Sequence, residues 1–419
     1  MKISLSNVAI VEKAQVEIDG ITVVAGLNGS GKTTVGKAIY ASINAYKNLP
    51  ERIIEARKNS IYKQLTGLFR NNIEMRYVGN YYEMAHDFAM NIPYHRFSTM
   101  TQDECEKYLD KYVEDWLQNG KAISIEEKDR ICENVLDILM RTDEVYTTYL
   151  VESLFLRAFS SQINNLRNEE PANIQVCFDG IELNSTFKDN NLIKNVNGID
   201  FIKKAIYIES FNVLDLFKLY SPYPIPTRSV TVATRDLFES LLSNEENEQS
   251  FEDYENSKEI QRIIDLIITK VTNGKLNMDA NGNVDFYDSK TNHSIPISNL
   301  SAGIKIFIIL QSLLEKGKLS AGDILLIDEP EVNLHPEWQV IFAEILVLLQ
   351  KEIGLNVYVN THSPYFSRAI EVKMAQYEIA GKGKFYLLQE NENGLYSCED
   401  VSQNTEKIYS MLYKPLETL

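Results

Sequence analysis

The sequence predicts an α/β fold interrupted by a helical insertion, and three observations carry that prediction. Near the N-terminus an apolar strand runs into a glycine-rich turn and then a helix. From about 50 to 170 the apolar residues recur at helical spacing. Between 301 and 372 strands and helices alternate again. Neither α/β stretch holds enough strands for a sheet of its own, so the two must complete one discontinuous domain around the insertion.

Taken in order, residues 2–25 read as two short strands and a third, Ile21-Thr22-Val23-Val24-Ala25; Thr33 to Tyr46 reads as a helix, the start of a parallel layer. The clearest helix of the insertion is 101–118. There Cys105, Tyr108, Leu109, Tyr112, Val113, Trp116 and Leu117 recur at three-then-four spacing among Asp, Glu and Lys, the stripe of a helix with one face to bury. Stretches 123–140 and 144–168 follow the same pattern. Strands return at 174–179 and 181–187 around the Asp179-Gly180 turn, and at 204–209. Ser221 to Thr227 carries three prolines and is a loop. The acidic run within 236–259 reads as a solvated helix face or a mobile segment. A helix at 259–271 leads to short strands around Asn281-Gly282. Helix 301–315, strand 323–327, helix 336–350, strand 356–360 and helix 364–372 then follow. The expected organisation is a first part at 1–48, an insertion at 49–170 and a second part at 171–419.

Composition narrows the class. The 419 residues are 44% hydrophobic and 24% charged, ample for a large core and unlike disordered or collagen-like chains. With 42 Lys+Arg against 59 Asp+Glu the net charge is −17, which disfavours a sequence-blind nucleic-acid binder. Cys105, Cys132, Cys177 and Cys398 show no CxxC spacing, so neither a zinc site nor a disulfide framework is indicated. No signal-peptide core and no apolar run near transmembrane length is present, so the expected location is the cytosol, without membrane association.

Four motifs carry chemistry. Gly26-Leu27-Asn28-Gly29-Ser30-Gly31-Lys32-Thr33, followed by Thr34, fits GxxxxGK[ST] between a strand and a helix. Its glycines let backbone N–H groups converge on a phosphate, Lys32 bridges β- and γ-phosphate charge, and the Thr33 hydroxyl suits Mg²⁺. The apolar strand Asp323 to Ile327 ends in Asp328-Glu329, delivering two carboxylates to the sheet edge where ligands of open α/β sheets bind. Asp328 is the expected Mg²⁺ holder and Glu329 the general base. Leu300-Ser301-Ala302-Gly303 opens a helix, where a serine hydroxyl and unpaired amides suit a γ-phosphate. Asn360-Thr361-His362-Ser363 ends the next strand. A lone histidine is more often structural, yet His362 falls where a γ-phosphate sensor is needed.

Together these elements resemble the ABC-type ATPase head, a P-loop fold with a mixed sheet, as found in SMC-like proteins and the overcoming-lysogenization-defect (OLD) family. The stretch Asp328-Glu-Pro-Glu-Val-Asn-Leu-His-Pro-Glu-Trp-Gln339 is especially similar to the OLD branch. The resemblance implies that ATP and Mg²⁺ are the ligands. It makes Gly26 to Thr34 the Walker A loop, Ser301 to Gly303 the signature, Asp328 and Glu329 the Walker B end, Asn333 to Pro336 the D-loop and His362 the switch histidine. The family's glutamine, an extra magnesium and water contact, has only Gln162 and Gln175 as candidates. No long heptad arm is present, and the residues after the last helix are too few for the metal-dependent Toprim nuclease of OLD proteins. Cys398-Glu399-Asp400 is no metal constellation. The resemblance therefore implies an ATP-driven switch that pairs as a homodimer or higher homo-oligomer through its heads. Its implied partner is a separately encoded effector, nuclease or Toprim-like, in anti-phage defence, with DNA or a phage protein as candidate trigger. The rival readings are a DNA repair or recombination ATPase that clamps DNA between its heads, and a transporter-type ATPase, which the large insertion disfavours.

Overall fold

The computed structural model describes residues 1–71, 81–97, 100–118, 125–178, 180–195, 203–217, 230–243, 251–278 and 283–414. Asp179, the proline-bearing loop at 221–227, residues 244–250 of the acidic run and the Asn281-Gly282 turn lie outside them, as do the side chains of Trp116 and Leu117. Two compact units result. One joins residues 1–47, 152–196 and 201–419; the other holds residues 48–151 with 197–200.

The larger unit is built on an eleven-stranded mixed sheet in the order β6-β5-β4-β1-β2-β14-β13-β3-β12-β11-β7. Its strands are β1 (Lys2–Val8), β2 (Val11–Glu17), β3 (Ile21–Ala25), β4 (Ala172–Phe178), β5 (Ile181–Lys188), β6 (Asn191–Lys194), β7 (Ala205–Ile208), β11 (Ile324–Asp328), β12 (Asn356–Thr361), β13 (Gly383–Glu390) and β14 (Tyr396–Asp400). The half containing β1, β2 and β4 to β6 is antiparallel, and its apolar positions alternate: Ile3, Leu5, Ile174 and Val176 are buried while Ser4, Ser6 and Gln175 face the other side. The parallel layer starts, as expected, at the strand–loop–helix unit of β3, while β1 and β2 belong to the antiparallel half. β3 pairs in parallel with β12 on one side and β13 on the other, β12 with β11, and β11 with β7. Every residue of β3 is buried, as expected of a strand covered on both faces. A separate three-stranded antiparallel sheet joins β8 (Gly274–Met278), β9 (Val284–Asp288) and β10 (His293–Pro296).

β2 and β3 are consecutive in the chain, yet β14 and β13 lie between them. The stretch Phe385 to Leu388 is fully apolar in its burial, 5% exposed or less at each position. Without that hairpin the antiparallel half would lose its connection to the strand carrying the P-loop.

Helices cover the parallel strands: α1 (Lys32–Tyr46), α8 (Val232–Leu242), α9 (Phe251–Ile267), α10 (Ala302–Glu315), α11 (Pro336–Leu348), α12 (Pro364–Gln376) and α13 (Glu406–Tyr413). Within the region read as acidic and solvated, α8 is a core helix: Thr231 caps it by accepting from the Thr234 amide, and Leu237, Phe238 and Leu241 are buried. Phe307, Phe342 and Phe366 join α10, α11 and α12 through ring contacts at 5.2 and 6.3 Å.

The smaller unit holds α2 (Leu49–Asn71), α3 (Tyr81–Asn91), α4 (Tyr94–Phe97), α5 (Gln102–Gln118) and α6 (Ile125–Met140); α7 spans Asp143–Ala158. The stripe of α5 does face a core: Cys105, Leu109 and Val113 are fully buried, and Tyr112 meets Phe88 edge-on at 5.3 Å. No described helix is long and apolar enough to cross a membrane.

If the β13–β14 hairpin ties the sheet together, its core residue must be costly to shorten. Leu387→Ala should lower unfolding stability by about 2–5 kcal/mol, whereas Gln389→Ala, exposed on the same strand, should stay within about 0.5 kcal/mol. Urea unfolding followed by tryptophan fluorescence checks both.

Candidate functional site: a P-loop and a carboxylate edge

The register of the parallel strands brings four chain segments to one edge. Opposite Val359 on β12 stands Val23 of β3; opposite Asn360 stands Asp328 of β11; opposite Ile327 stands Ile208 of β7. The C-terminal ends of β3, β12, β11 and β7 are thereby level, where open α/β sheets place ligands.

The loop after β3 has the left-handed glycine backbone that the phosphate-loop motif calls for. Gly29 and Gly31 have φ of 78° and 93°, left-handed values that side chains resist. A Cβ on Gly31 would lie 2.6 Å from Val11 Cγ2. Ile10, Asn28, Gly29, Ser30, Gly31, Lys32, Thr33, Thr34 and Glu329 line a cavity of about 310 Å³. The Lys32 ammonium, 4% exposed, donates to the carbonyls of Gly26 and Leu27 at 3.0 Å each and lies 3.6 Å from Glu329 Oε1. Ser30 Oγ is buried without a hydrogen-bond partner.

Asp328 is held on three sides. Thr33 Oγ1 donates to its Oδ2 at 2.7 Å, Tyr207 OH to the same oxygen at 3.3 Å, and Asn360 Nδ2 to its Oδ1 at 2.8 Å. Burial, with the Asp328 charge second, pushes the Tyr207 phenol far above its ordinary range, so it remains a donor. Glu329 adopts φ 46°, and its amide donates to the Asn360 carbonyl at 3.0 Å. A non-glycine residue in this region is a strained position of the kind found at functional sites. His362 Nδ1 lies 3.3 Å from Glu329 Oε1 and 3.5 Å from Glu331 Oε1.

The cradle fits the groups the sequence motifs point to. Convergent amides and a lysine suit a triphosphate, and the Thr33 hydroxyl beside a carboxylate is the hard oxygen pair that suits Mg²⁺. No group of three or more His, Cys, Asp or Glu able to hold a metal exists among the described residues.

Ser301 and Gly303, expected from the resemblance to form the signature, stand apart from the P-loop cavity. Ser301 caps α10 in extended conformation, is exposed, and makes no hydrogen bond to its helix; it does not line the P-loop cavity. Gly303 is buried against the turn that carries Asn333: a Cβ there would lie 2.5 Å from the Asn333 carbonyl oxygen. Asn333 itself has φ 66°, and His335 caps α11.

Neither glutamine candidate reaches this edge. Gln162 donates to the Asn164 carbonyl, and Gln175 pairs with Ser4 on β4, five strands from β3. The strand beside β11 is followed instead by Glu209. Burial pushes that carboxyl above its usual range while the hydroxyls of Thr231 and Thr234 donate to it. Glu209, Tyr207, Asn360 and Glu331 were not found from the sequence. Asn360 alone carried a signal, as the polar residue ending an apolar strand one place before Thr361-His362.

Residues 1–367 match the family model described as the AAA ATPase domain, and the chain belongs to that family. No curated protein is similar enough to match it. Among solved structures, an SmcHead bound to the C-winged helix domain of ScpA is similar at 11% identity and TM-score 0.44, with 97% of this chain and 98% of that chain covered. The SMC head domain from Thermotoga maritima gives 11% and 0.38 over 96% and 98%. A Smc head domain with an extended coiled coil, bound to the C-terminal domain of ScpA derived from Pyrococcus furiosus, gives 10% and 0.43 over 99% and 98%.

Since backbone, not a flexible side chain, would meet a Cβ at Gly303, Gly303→Ala should cost about 1–3 kcal/mol by overpacking. Gly317→Ala, where nothing stands within 4 Å, should cost only its left-handed backbone strain of about 1–2 kcal/mol. Paired denaturation curves separate the two; a Gly303→Ala protein as stable as wild type would remove the packing argument.

Proposed function

We propose that this chain binds and hydrolyses ATP and uses the cycle as a switch. The observation that carries the reading is the 2.7 Å bond between Thr33 of the P-loop and Asp328, with Glu329 next in the chain and within reach of both Lys32 and His362. Thr33 and Asp328 would hold Mg²⁺, which when bound neutralises phosphate charge and polarises the terminal phosphoryl group. Lys32 would exchange its two carbonyl partners for β- and γ-phosphate oxygens. Glu329 would accept a proton from the attacking water as the bond from the γ-phosphorus to the bridging oxygen of ADP breaks. His362, against Glu329, would face the terminal phosphate.

Ser301 enters from a second subunit in this reading. Its hydroxyl is exposed, unused by its own helix and outside the cavity of its own P-loop, which supports a head-to-tail pair in which each signature completes the partner's site. The resemblance to OLD-type ATPases supports the further step, that nucleotide-driven pairing controls a separately encoded effector in anti-phage defence. Co-purification with the products of neighbouring genes tests that step. Recovery of a repair nuclease would move the reading to DNA processing, and recovery of a permease to transport.

Two outcomes follow. Lys32→Ala should abolish tight ATP binding, while Glu329→Gln should keep binding and lose about 10²–10⁴ in hydrolysis; nucleotide titration and phosphate release read both, and a Glu329→Gln enzyme at wild-type turnover removes Glu329 as base. Ser301→Arg should leave ATP binding to each subunit intact but block ATP-driven association and turnover. Mass photometry of Glu329→Gln with and without Ser301→Arg, plus and minus ATP, measures the association, and full hydrolysis by Ser301→Arg sinks the shared site.

A further inference from the structure

Glu331 stands two residues beyond Glu329 and has no part in the scheme above. Its side chain is buried, 5% exposed, in the turn between β11 and α11. One oxygen does nearly all its work. Oε1 accepts from Thr361 Oγ1 at 2.6 Å, from the His362 amide at 3.0 Å and from the Ser363 amide at 3.2 Å. That oxygen also lies 3.5 Å from His362 Nδ1, which is 3.3 Å from Glu329 Oε1. The other oxygen, Oε2, is buried with no hydrogen-bond partner.

Stability alone does not account for a carboxyl here. A glutamine carbonyl would accept the same three bonds, and burial works against the charged form, pushing the Glu331 carboxyl above its usual range. What a carboxylate adds is negative charge beside an imidazole. We propose that Glu331 is a positioning residue for hydrolysis that acts through His362, fixing the turn that carries the histidine and presenting a charge to its Nδ1. With Nδ1 set toward the two carboxylates, Nε2 occupies the opposite side of the ring. Nε2 is thereby the ring nitrogen left to meet the terminal phosphate oxygens. The inference rests on the ATPase reading of the site and adds to it a residue that never touches substrate.

The test separates charge from anchoring. Glu331→Gln keeps an acceptor for all three turn donors but removes the charge; it should lower kcat roughly tenfold to a hundredfold while KM for ATP, the nucleotide Kd and the melting temperature hold. Thr361→Val removes one anchoring donor and keeps the charge, and its kcat should stay within about threefold of wild type. In a His362→Ala background Glu331→Gln should have no further effect, because the pathway runs through the ring. Wild-type kcat in Glu331→Gln, equal losses in binding and kcat, or additive losses with His362→Ala would each overturn the proposal while leaving the ATPase reading intact. A wild-type protein that releases no phosphate would instead overturn that reading, and this inference with it.

Discussion

The carboxylate of Asp328 gathers the site. Its two oxygens take hydrogen bonds from Thr33 at the start of α1, Tyr207 on β7 and Asn360 on β12. Each donor comes from a different segment, and Asp328 itself ends β11, so one side chain reports whether three parallel strands and the P-loop helix are in register. A slip of one residue in β11 would turn Asp328 to the opposite face and leave all three donors without their acceptor. The correct register is therefore stabilised by charge-assisted hydrogen bonds as well as by the apolar strand interior, where Leu325, Leu326 and Ile327 are fully buried.

Around that node several backbone positions are left-handed. Glu329 at φ 46°, Asn333 at φ 66° and the left-handed Gly29 and Gly31 of the P-loop lie in the connections that leave the strand ends. Such positions cost of order 1–3 kcal/mol each and persist because the surrounding bonds over-determine them. At Glu329 the over-determining bond is its own amide to the Asn360 carbonyl, so the same asparagine fixes both acidic residues, one through its side chain and one through its backbone. Gly303 extends the network: its contact with the Asn333 carbonyl lets α10 lie against the turn that follows the carboxylates.

What was legible in the sequence was whatever one segment encodes by itself. The strand–loop–helix around Lys32, the apolar strand ending in Asp328-Glu329 and the one ending near His362 each combine a buried run with a chemically distinctive end, and each lies where the pattern put it. Residues whose role depends on sheet order were not legible. Tyr207 and Glu209 matter because β7 lies beside β11, and nothing in residues 205–209 announces that neighbour. α8 was hidden because the acidic residues after it masked the spacing of Leu237, Phe238 and Leu241. The Phe385 to Leu388 run is apolar enough to signal a strand, but its place between β2 and β3 is a property of the assembled sheet.

That place bears on how the protein comes into being at the ribosome. The P-loop is synthesised first, yet β3 acquires one of its two neighbours only after residue 390 has been made, and β2 acquires β14 later still. At translation speeds of about 5–20 residues per second, the β3 edge stays open for something on the order of 20–70 seconds. A nascent chain in that interval exposes a largely apolar strand edge, a template for wrong pairing. Chaperone occupancy is to be expected over this window, and the pairings that close it span nearly the whole chain, a topology that folds slowly.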